Sequence, residues 1–131
     1  MGDLFKNSIN RGVYKSIDGG NTWKKTLFSN ERSGVVDISF ESDNPRVMYA
    51  STWNIRRTPY SLESGGKGSA IWKSTDEGET WKNISKNPGL PSGAWGISGV
   101  SVSPVNSSII YALIENENGG LYKSTDSGKS W

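Results

Sequence analysis

The stretch AIWKSTDEGETW, Ala70 to Trp81, decides the fold, because nearly the same sequence occurs twice more in the chain. The other copies are GVYKSIDGGNTW, Gly12 to Trp23, and GLYKSTDSGKSW, Gly120 to Trp131. All three place a small, an aliphatic and an aromatic residue before Lys-Ser, and then Asp, Gly, Ser or Thr, and Trp at fixed offsets. Three matches to so complex a frame indicate a repeat protein.

Each copy predicts a β-hairpin that is closed by its own side chains. In the first copy, Val13 and Tyr14 begin a strand, Asp18 to Asn21 form the turn, and Thr22 to Phe28 return. The Asp carboxylate can accept backbone N–H bonds across such a turn, and Gly suits a position with positive φ. Because a catalytic aspartate is not expected in every repeat, we interpret these residues as structural. They are Ser16, Asp18, Gly20, Thr22 and Trp23; Ser74, Asp76, Gly78, Thr80 and Trp81; and Ser124, Asp126, Gly128, Ser130 and Trp131.

A second and weaker repeat lies between these copies. Residues 34–50 and 96–112 align without a gap, and each reads as a strand, a polar turn containing Asn, and another strand. One repeat unit is therefore four strands, A and B from this segment and C and D from the hairpin. The hairpin aspartates are 58 residues apart from Asp18 to Asp76, and 50 residues apart from Asp76 to Asp126.

Repeated units of four antiparallel strands at this period predict an all-β fold made of β-propeller blades. A β-sandwich of short strands is the alternative, but it gives no reason for a repeated hairpin sequence. We predict strands C and D of one blade in residues 1–33, a whole blade in 34–85, and strands A to C of a third blade in 86–131. Because a ring needs about four to eight blades, we expect this incomplete propeller of about two and a half blades to be completed by the remaining blades of a longer parent chain or by self-association.

The composition limits the chemistry. The chain has no Cys and no His, which excludes disulfides, thiolate or imidazole metal sites, and nucleophilic catalysis that depends on Cys or His. A net charge of +2, spread along the chain, predicts neither nucleic-acid binding nor a polybasic membrane patch. No apolar run approaches the roughly 20 residues of a membrane span. We predict no cofactor and no metal site, since the isolated acidic residues fit no calcium loop.

The spacing of the repeats fails between strands B and C of the whole blade. Tyr49 and Asp76 are 27 residues apart, whereas the equivalent Tyr111 and Asp126 are 15 apart, so this B–C loop carries 12 extra residues. The loop and the D–A connector, residues 86–96, are predicted on the face opposite the hairpin turns. Loops on a rigid scaffold are where binding residues concentrate. The ligand-binding candidates there are Trp53, Arg56, Arg57, Tyr60 and Trp95.

The two arginines offer planar donor forks for carboxylates or phosphates, and the aromatic rings can stack on sugars or clamp a peptide. The alternative is that the arginines pair with acidic groups of a neighbouring blade and the aromatics fill the loop. No catalytic residue is assigned, and Asp37 is the one candidate because it aligns with Gly99 and is not a template residue. Glycosidases need two carboxylates at a defined separation, and no spacing selects Glu41 or Glu63 as the partner of Asp37.

The three hairpin sequences resemble the Asp-box, or BNR repeat, of sialidases, xyloglucanase-type glycosidases and the sortilin propeller. The run WNIRRTPYSLESGGKGSAIWKSTDEGETW, Trp53 to Trp81, is more similar to large bacterial proteins described as sortilin-like or glycosyl-hydrolase-like. The resemblance implies a β-propeller. It leaves the activity open, because Asp-boxes occur in enzymes and in non-enzymes.

Three functions follow from this resemblance. The first is a sortilin-like binding or scaffold module, without activity of its own, that takes a carbohydrate, peptide or protein ligand on the loop face. The second is part of a glycoside hydrolase, sialidase- or xyloglucanase-like, whose catalytic residues lie largely in other blades. The third is an assembly factor similar to those that help to build photosystem II. The long Arg-Arg loop matches the large bacterial proteins better than it matches these factors. We expect the first, with a secreted or periplasmic parent protein.

Overall fold

A computed structural model describes all 131 residues, and its regular structure consists of β-strands alone. It contains no helix with the length and hydropathy that a membrane crossing requires. The strands are β1 (Val13–Lys15), β2 (Lys24–Leu27), β3 (Ser33–Phe40), β4 (Met48–Arg57), β5 (Leu62–Ser64), β6 (Ala70–Ser74), β7 (Lys82–Asn83), β8 (Ser98–Val102), β9 (Ile110–Ile114) and β10 (Gly120–Ser124).

The strands form three separate antiparallel sheets that follow the repeat. The first sheet is β1-β2, the second is β3-β4-β6-β7 with β5 added to β4, and the third is β8-β9-β10. The second sheet thus holds strands A to D of one blade, and the third holds strands A to C of the next. The predicted all-β fold of antiparallel blades is confirmed.

The repeat hairpins, residues 12–23, 70–81 and 120–131, are closed by one hydrogen-bond network. In the second hairpin, Ser74 Oγ donates to Asp76 Oδ1 over 2.8 Å and accepts the N–H of Gly78 over 2.9 Å. Asp76 also accepts the N–H of Thr80 over 2.9 Å and its hydroxyl over 2.5 Å. Because all these partners lie within seven residues of sequence, the hairpin can form from local contacts.

The same bonds surround Asp18 and Asp126 in the other two hairpins. The hydroxyl four residues further on has the largest effect on the carboxyl, followed by the backbone N–H of that same residue. Both bonds favour the ionised form. They lower the pKa of Asp18 and Asp76 to about 2, and they lower the pKa of Asp126 as well.

The hydrophobic core lies between the second and third sheets. Inward-facing residues of both sheets meet there, in the alternating pattern of strands with one face buried. The core residues are Val47, Tyr49, Ile71, Ile84, Trp95, Val100, Val102, Ile110, Ala112 and Ile114. This core fixes the second blade against the third, and with them the B–C connection of the second blade and the D–A connector between the two blades.

The repeat hairpins also hold neighbouring blades together, which the sequence did not predict. The carbonyl of Ser127, in the third hairpin, accepts hydrogen bonds from Tyr49 Oη over 3.1 Å and Lys73 Nζ over 2.9 Å in the second blade. In the second hairpin, Glu79 forms ion pairs with Lys15 over 2.9 Å and Lys24 over 3.0 Å in the first blade. The second and third hairpins therefore stabilise both their own blades and the contact with the preceding blade.

Candidate functional site

The extra residues of the B–C connection form a β-hairpin, where the sequence predicted a loop. Strand β4 continues to Arg57 and β5 returns beside it, with Ile55 opposite Ser64 and Arg57 opposite Leu62. The four residues from Thr58 to Ser61 make the turn, which has Pro at its second position, as turns favour. We call residues 53–64 the extra hairpin, because the equivalent strand β9 ends five residues earlier in the repeat alignment.

The extra hairpin lies at the opposite end of β4 from the repeat hairpin of its blade. Met48, at the start of β4, pairs with Ser74 next to that repeat hairpin, whereas Arg57 ends β4 at the extra hairpin. The predicted separation of the two features on opposite faces therefore agrees with the strand pairing.

The extra hairpin is closed by a hydrogen bond of its own, and an ion pair and a buried side chain fix it to the blade. The indole N–H of Trp53 donates to Ser64 Oγ over 2.9 Å and so joins its two strands. Glu63 forms an ion pair with Arg32 over 2.6 Å. The side chain of Ile55 is buried. The hairpin is thus a rigid projection with a packed base, and Trp53 serves as part of that base.

Its outer end exposes the predicted binding residues. Tyr60, in the turn, is 97% exposed, and Arg56 and Arg57 are also exposed. Neither arginine forms an ion pair, so the alternative in which both pair with a neighbouring blade does not describe this structure. Because successive strand residues point to opposite sides, Arg56 and Arg57 lie on the two sides of the hairpin and do not form one double fork.

Trp95 differs from the prediction of a ligand-stacking residue. It is 3% exposed and belongs to the core between the second and third blades. Its indole N–H donates to the carbonyl of Pro91 over 2.9 Å, so the connector folds back over its own tryptophan. The ring has no face open to a ligand, because connector and core enclose it. From the sequence alone, a buried tryptophan in a connector cannot be distinguished from an exposed one.

Asp37, the catalytic candidate, bridges two blades. Its Oδ2 accepts the N–H of Val100 in β8 over 2.9 Å, and Ser39 Oγ accepts the N–H of Val102 over 3.0 Å. These N–H groups lie along the edge of β8 that has no strand partner. The carboxylate therefore does what a backbone carbonyl of a neighbouring strand would otherwise do.

Neither Glu41 nor Glu63 is free to form a catalytic pair with Asp37. Glu63 is engaged by Arg32 on the extra hairpin, and Glu41 accepts a hydrogen bond from Tyr49 Oη over 3.4 Å at the other end of the blade. Glu115 lines the same shallow cavity of about 450 Å³ as Asp37. It accepts hydrogen bonds from Ser64 Oγ over 2.8 Å and the N–H of Ile97 over 2.7 Å. Nowhere does the chain bring together three acidic side chains that could hold a metal ion.

Comparison with known proteins adds sequence relatives. No protein-family model matches the chain. It is 25% identical over 143 residues to xyloglucanase Xgh74A of Acetivibrio thermocellus. The aligned region covers 91% of this chain and 15% of the relative. It is 36% identical over 75 residues to a probable oligoxyloglucan-reducing end-specific xyloglucanase of Neosartorya fischeri, which covers 56% of this chain and 9% of the relative. The chain thus spans no more than about a sixth of the length of these relatives.

Two solved structures share the fold. The GH74 xyloglucanase from Xanthomonas campestris superposes with a TM-score of 0.62 and 27% identity, over 90% of this chain and 16% of that one. YCF48 bound to D1 peptide superposes with a TM-score of 0.55 and 20% identity, over 92% of this chain and 34% of that one. Both neighbours are β-propeller proteins, so the predicted fold of partial propeller blades is confirmed.

Proposed function

We propose that this chain is part of the β-propeller of a carbohydrate-active protein similar to the xyloglucanases, and that the extra hairpin contributes to polysaccharide binding. The observation that carries the proposal is a projection absent from the repeat, with a fully exposed tyrosine and two arginines free of ion pairs. The similarity to xyloglucanases over most of the chain supports this interpretation better than a scaffold role alone. Because polysaccharides are met outside the cell, we place the whole protein there.

The chemistry of the hairpin suits a sugar chain. The ring of Tyr60 offers a flat apolar surface against which the axial C–H groups of a pyranose can pack. Arg56 and Arg57 supply N–H donors for hydroxyl groups on either side of the projection. Hydrolysis needs two carboxylates, and the candidates Asp37, Glu41 and Glu63 each have other partners, so we assign the catalytic pair to other parts of the whole protein. Release of reducing sugar from xyloglucan by this chain would contradict that assignment.

Calorimetric titration of the chain with a xyloglucan oligosaccharide tests the proposed site. We expect Tyr60→Ala to weaken binding by about fivefold or more, because a stacked ring contributes about 1 kcal/mol. Phe40→Ala is the control, since Phe40 is also an exposed aromatic residue but lies at the end of β3 next to the repeat hairpins. Equal losses in both variants, or no loss with Tyr60→Ala, would rule out the hairpin as the site.

A peptide-binding scaffold is the second candidate, and the edge of β5 favours it. Strand β5 pairs only with β4, and all three of its residues are exposed. An extended peptide could add to such an edge through backbone hydrogen bonds. Hydrogen exchange discriminates the two candidates: a bound peptide would protect the amides of residues 62–64, whereas a glycan packed on Tyr60 would leave them unchanged.

A further inference from the structure

A cleft of about 690 Å³ lies on the same face as the extra hairpin, where the second and third blades are joined. One wall is the end of the B–C connection, residues 66–69. The second wall is the region around the outer strand β7, and the third is the connector, residues 90–95. None of the ligand-binding residues predicted from the sequence reaches it except Trp95, whose ring is buried beneath it.

Both connections that frame the cleft depart from the repeat. The B–C connection carries the 12 extra residues already described. The D–A connector is also longer here, because Trp81 and Gly96 are 15 residues apart, whereas the equivalent Trp23 and Gly34 are 11 apart. Residues that the blade template does not require therefore build two of the three walls. Blade packing alone does not explain such a cleft.

The side chains that line the cleft are positively charged or neutral. Lys67 and Lys86 line it, are exposed, and form no ion pair, whereas Lys15 and Lys24 on the opposite face are both paired with Glu79. No aspartate or glutamate is among the lining residues. Three polar side chains of the lining can donate hydrogen bonds, Ser69, Asn83 and Ser92, whereas the hydroxyl of Ser85 is engaged with the backbone of Ile71. The lining therefore favours a ligand with negative charge and several oxygens.

The backbone of the connector adds donors. The N–H groups of Ser92, Gly93 and Ala94 donate to no other group of the protein. Asn116 Nδ2 fixes this turn by donating to the carbonyls of Ser92 over 3.1 Å and Ala94 over 2.8 Å. Gly93 has a φ of 89°, and a glycine in this conformation between ordinary residues is how short turns gather N–H groups for anions. Unpaired backbone donors of the connector wall thus add to the charges of Lys67 and Lys86 on the other two walls.

We propose that this cleft binds the carboxylate of an acidic sugar residue, such as a uronate, in a polysaccharide whose neighbouring neutral residues contact the extra hairpin. The inference rests on the proposed function, and deepens it by naming a charged subsite. Lys67 and Lys86 neutralise the carboxylate. The hydroxyls of Ser69 and Ser92 and the amide of Asn83 pair with the sugar hydroxyls. A sugar is favoured over an acidic peptide because the lining is rich in small hydroxyl and amide groups that match ring hydroxyls.

Calorimetric titration with a galacturonic acid trisaccharide tests the cleft. We expect the original chain to bind the trisaccharide. The double variant Lys67→Ala, Lys86→Ala should bind it about tenfold or more weakly, because hydrogen bonds to charged groups are stronger than those between neutral groups. Binding should also weaken as salt rises from about 50 to 500 mM, since the charges are exposed. The control is Lys82→Ala with Lys129→Ala, two exposed lysines outside the cleft and without ion pairs.

Two further probes complete the test. A neutral galactose trisaccharide should bind at least about tenfold more weakly than the acidic one, since it lacks the charge. Equal affinity for the two sugars, or a loss in the control variant as large as in the cleft variant, would overturn the proposal. Tighter binding of a hexaglutamate peptide than of the acidic sugar would overturn it in favour of a peptide site.

The same variants separate this inference from the proposed function. If xyloglucan oligosaccharide binds through Tyr60 and the acidic trisaccharide does not bind, the cleft proposal fails and the proposed function stands. If the acidic trisaccharide binds through Lys67 and Lys86 while xyloglucan does not bind, the charged site stands and the hairpin function fails.

Discussion

Each hairpin aspartate accepts bonds from a serine two residues before it and from a hydroxyl and an N–H four residues after it. This short range explains why these residues could be predicted from the sequence. Arg11 shows the opposite case. Its guanidinium is buried and donates to the carbonyls of Arg32 over 2.8 Å, Lys6 over 3.3 Å, and Asp3. No local pattern marks it, because the main partner is 21 residues away.

At the residue scale, the aspartates predict how stability depends on pH. The pKa of Asp18 and Asp76 is lowered to about 2 in the folded chain, against about 3.9 in an unfolded one. The unfolded state therefore binds protons first as the pH falls. Stability from these groups is complete above about pH 4 and is lost as the pH falls towards 2. Circular dichroism during urea unfolding at pH 2 to 6 should show the midpoint fall over this range.

The variant Asp76→Asn checks that assignment. Its amide cannot accept both the N–H and the hydroxyl of Thr80 with equal strength, so we expect a lower melting temperature at pH 7 and a smaller loss between pH 4 and 2. Glu117→Gln is the control, since Glu117 is exposed and forms no ion pair. An unchanged acid profile in Asp76→Asn would contradict the role of the network.

At the element scale, the extra hairpin shows where a repeat alignment stops being informative. The alignment located the insertion and its face, because it compares equal positions in two blades. It did not show that the inserted residues form two paired strands, because the third blade has no equivalent strand from which this pairing could be inferred. Trp95 was misjudged for a related reason: an aromatic residue in a connector has the same sequence signal whether it faces the solvent or the core.

The hairpin should tolerate a shorter turn. Arg57 lies opposite Leu62, so replacing Thr58–Ser61 with Asn-Gly gives a two-residue turn that suits an antiparallel pair. We expect the melting temperature to stay within a few degrees, because the packed base of Trp53 and Ile55 is kept, while xyloglucan binding falls as in Tyr60→Ala. A variant with Tyr60→Phe in the original turn should retain binding. Unfolding of the shortened chain would show that the turn is part of the scaffold.

At the scale of the whole molecule, one blade face is open. Tyr49, Ser51 and Ile71 of the second blade are fully buried against the third blade. The equivalent positions of the third blade are exposed: Tyr111 by 37%, Leu113 by 62% and Leu121 by 68%. Repeat proteins bury such faces against the next repeat, so this surface is suited to a further blade or to a second copy of the chain.

This face predicts association in solution. Light scattering should show a mass that rises with concentration, because contiguous exposed apolar surface drives self-association. Leu113→Lys with Leu121→Lys should restore the monomer, and Leu62→Lys, on the extra hairpin, should have no such effect. A chain that stays monomeric at high concentration would contradict the prediction.

The bridge from Asp37 and Ser39 to β8 limits how copies of the chain can associate with one another. An unpaired strand edge is a template for amyloid growth, and proteins block such edges with inward charges and side-chain bonds. Here a carboxylate and a hydroxyl occupy the N–H groups of Val100 and Val102. The edge of β8 that faces the second blade is therefore closed to a strand of another copy, so the association predicted for the open face does not extend along this edge.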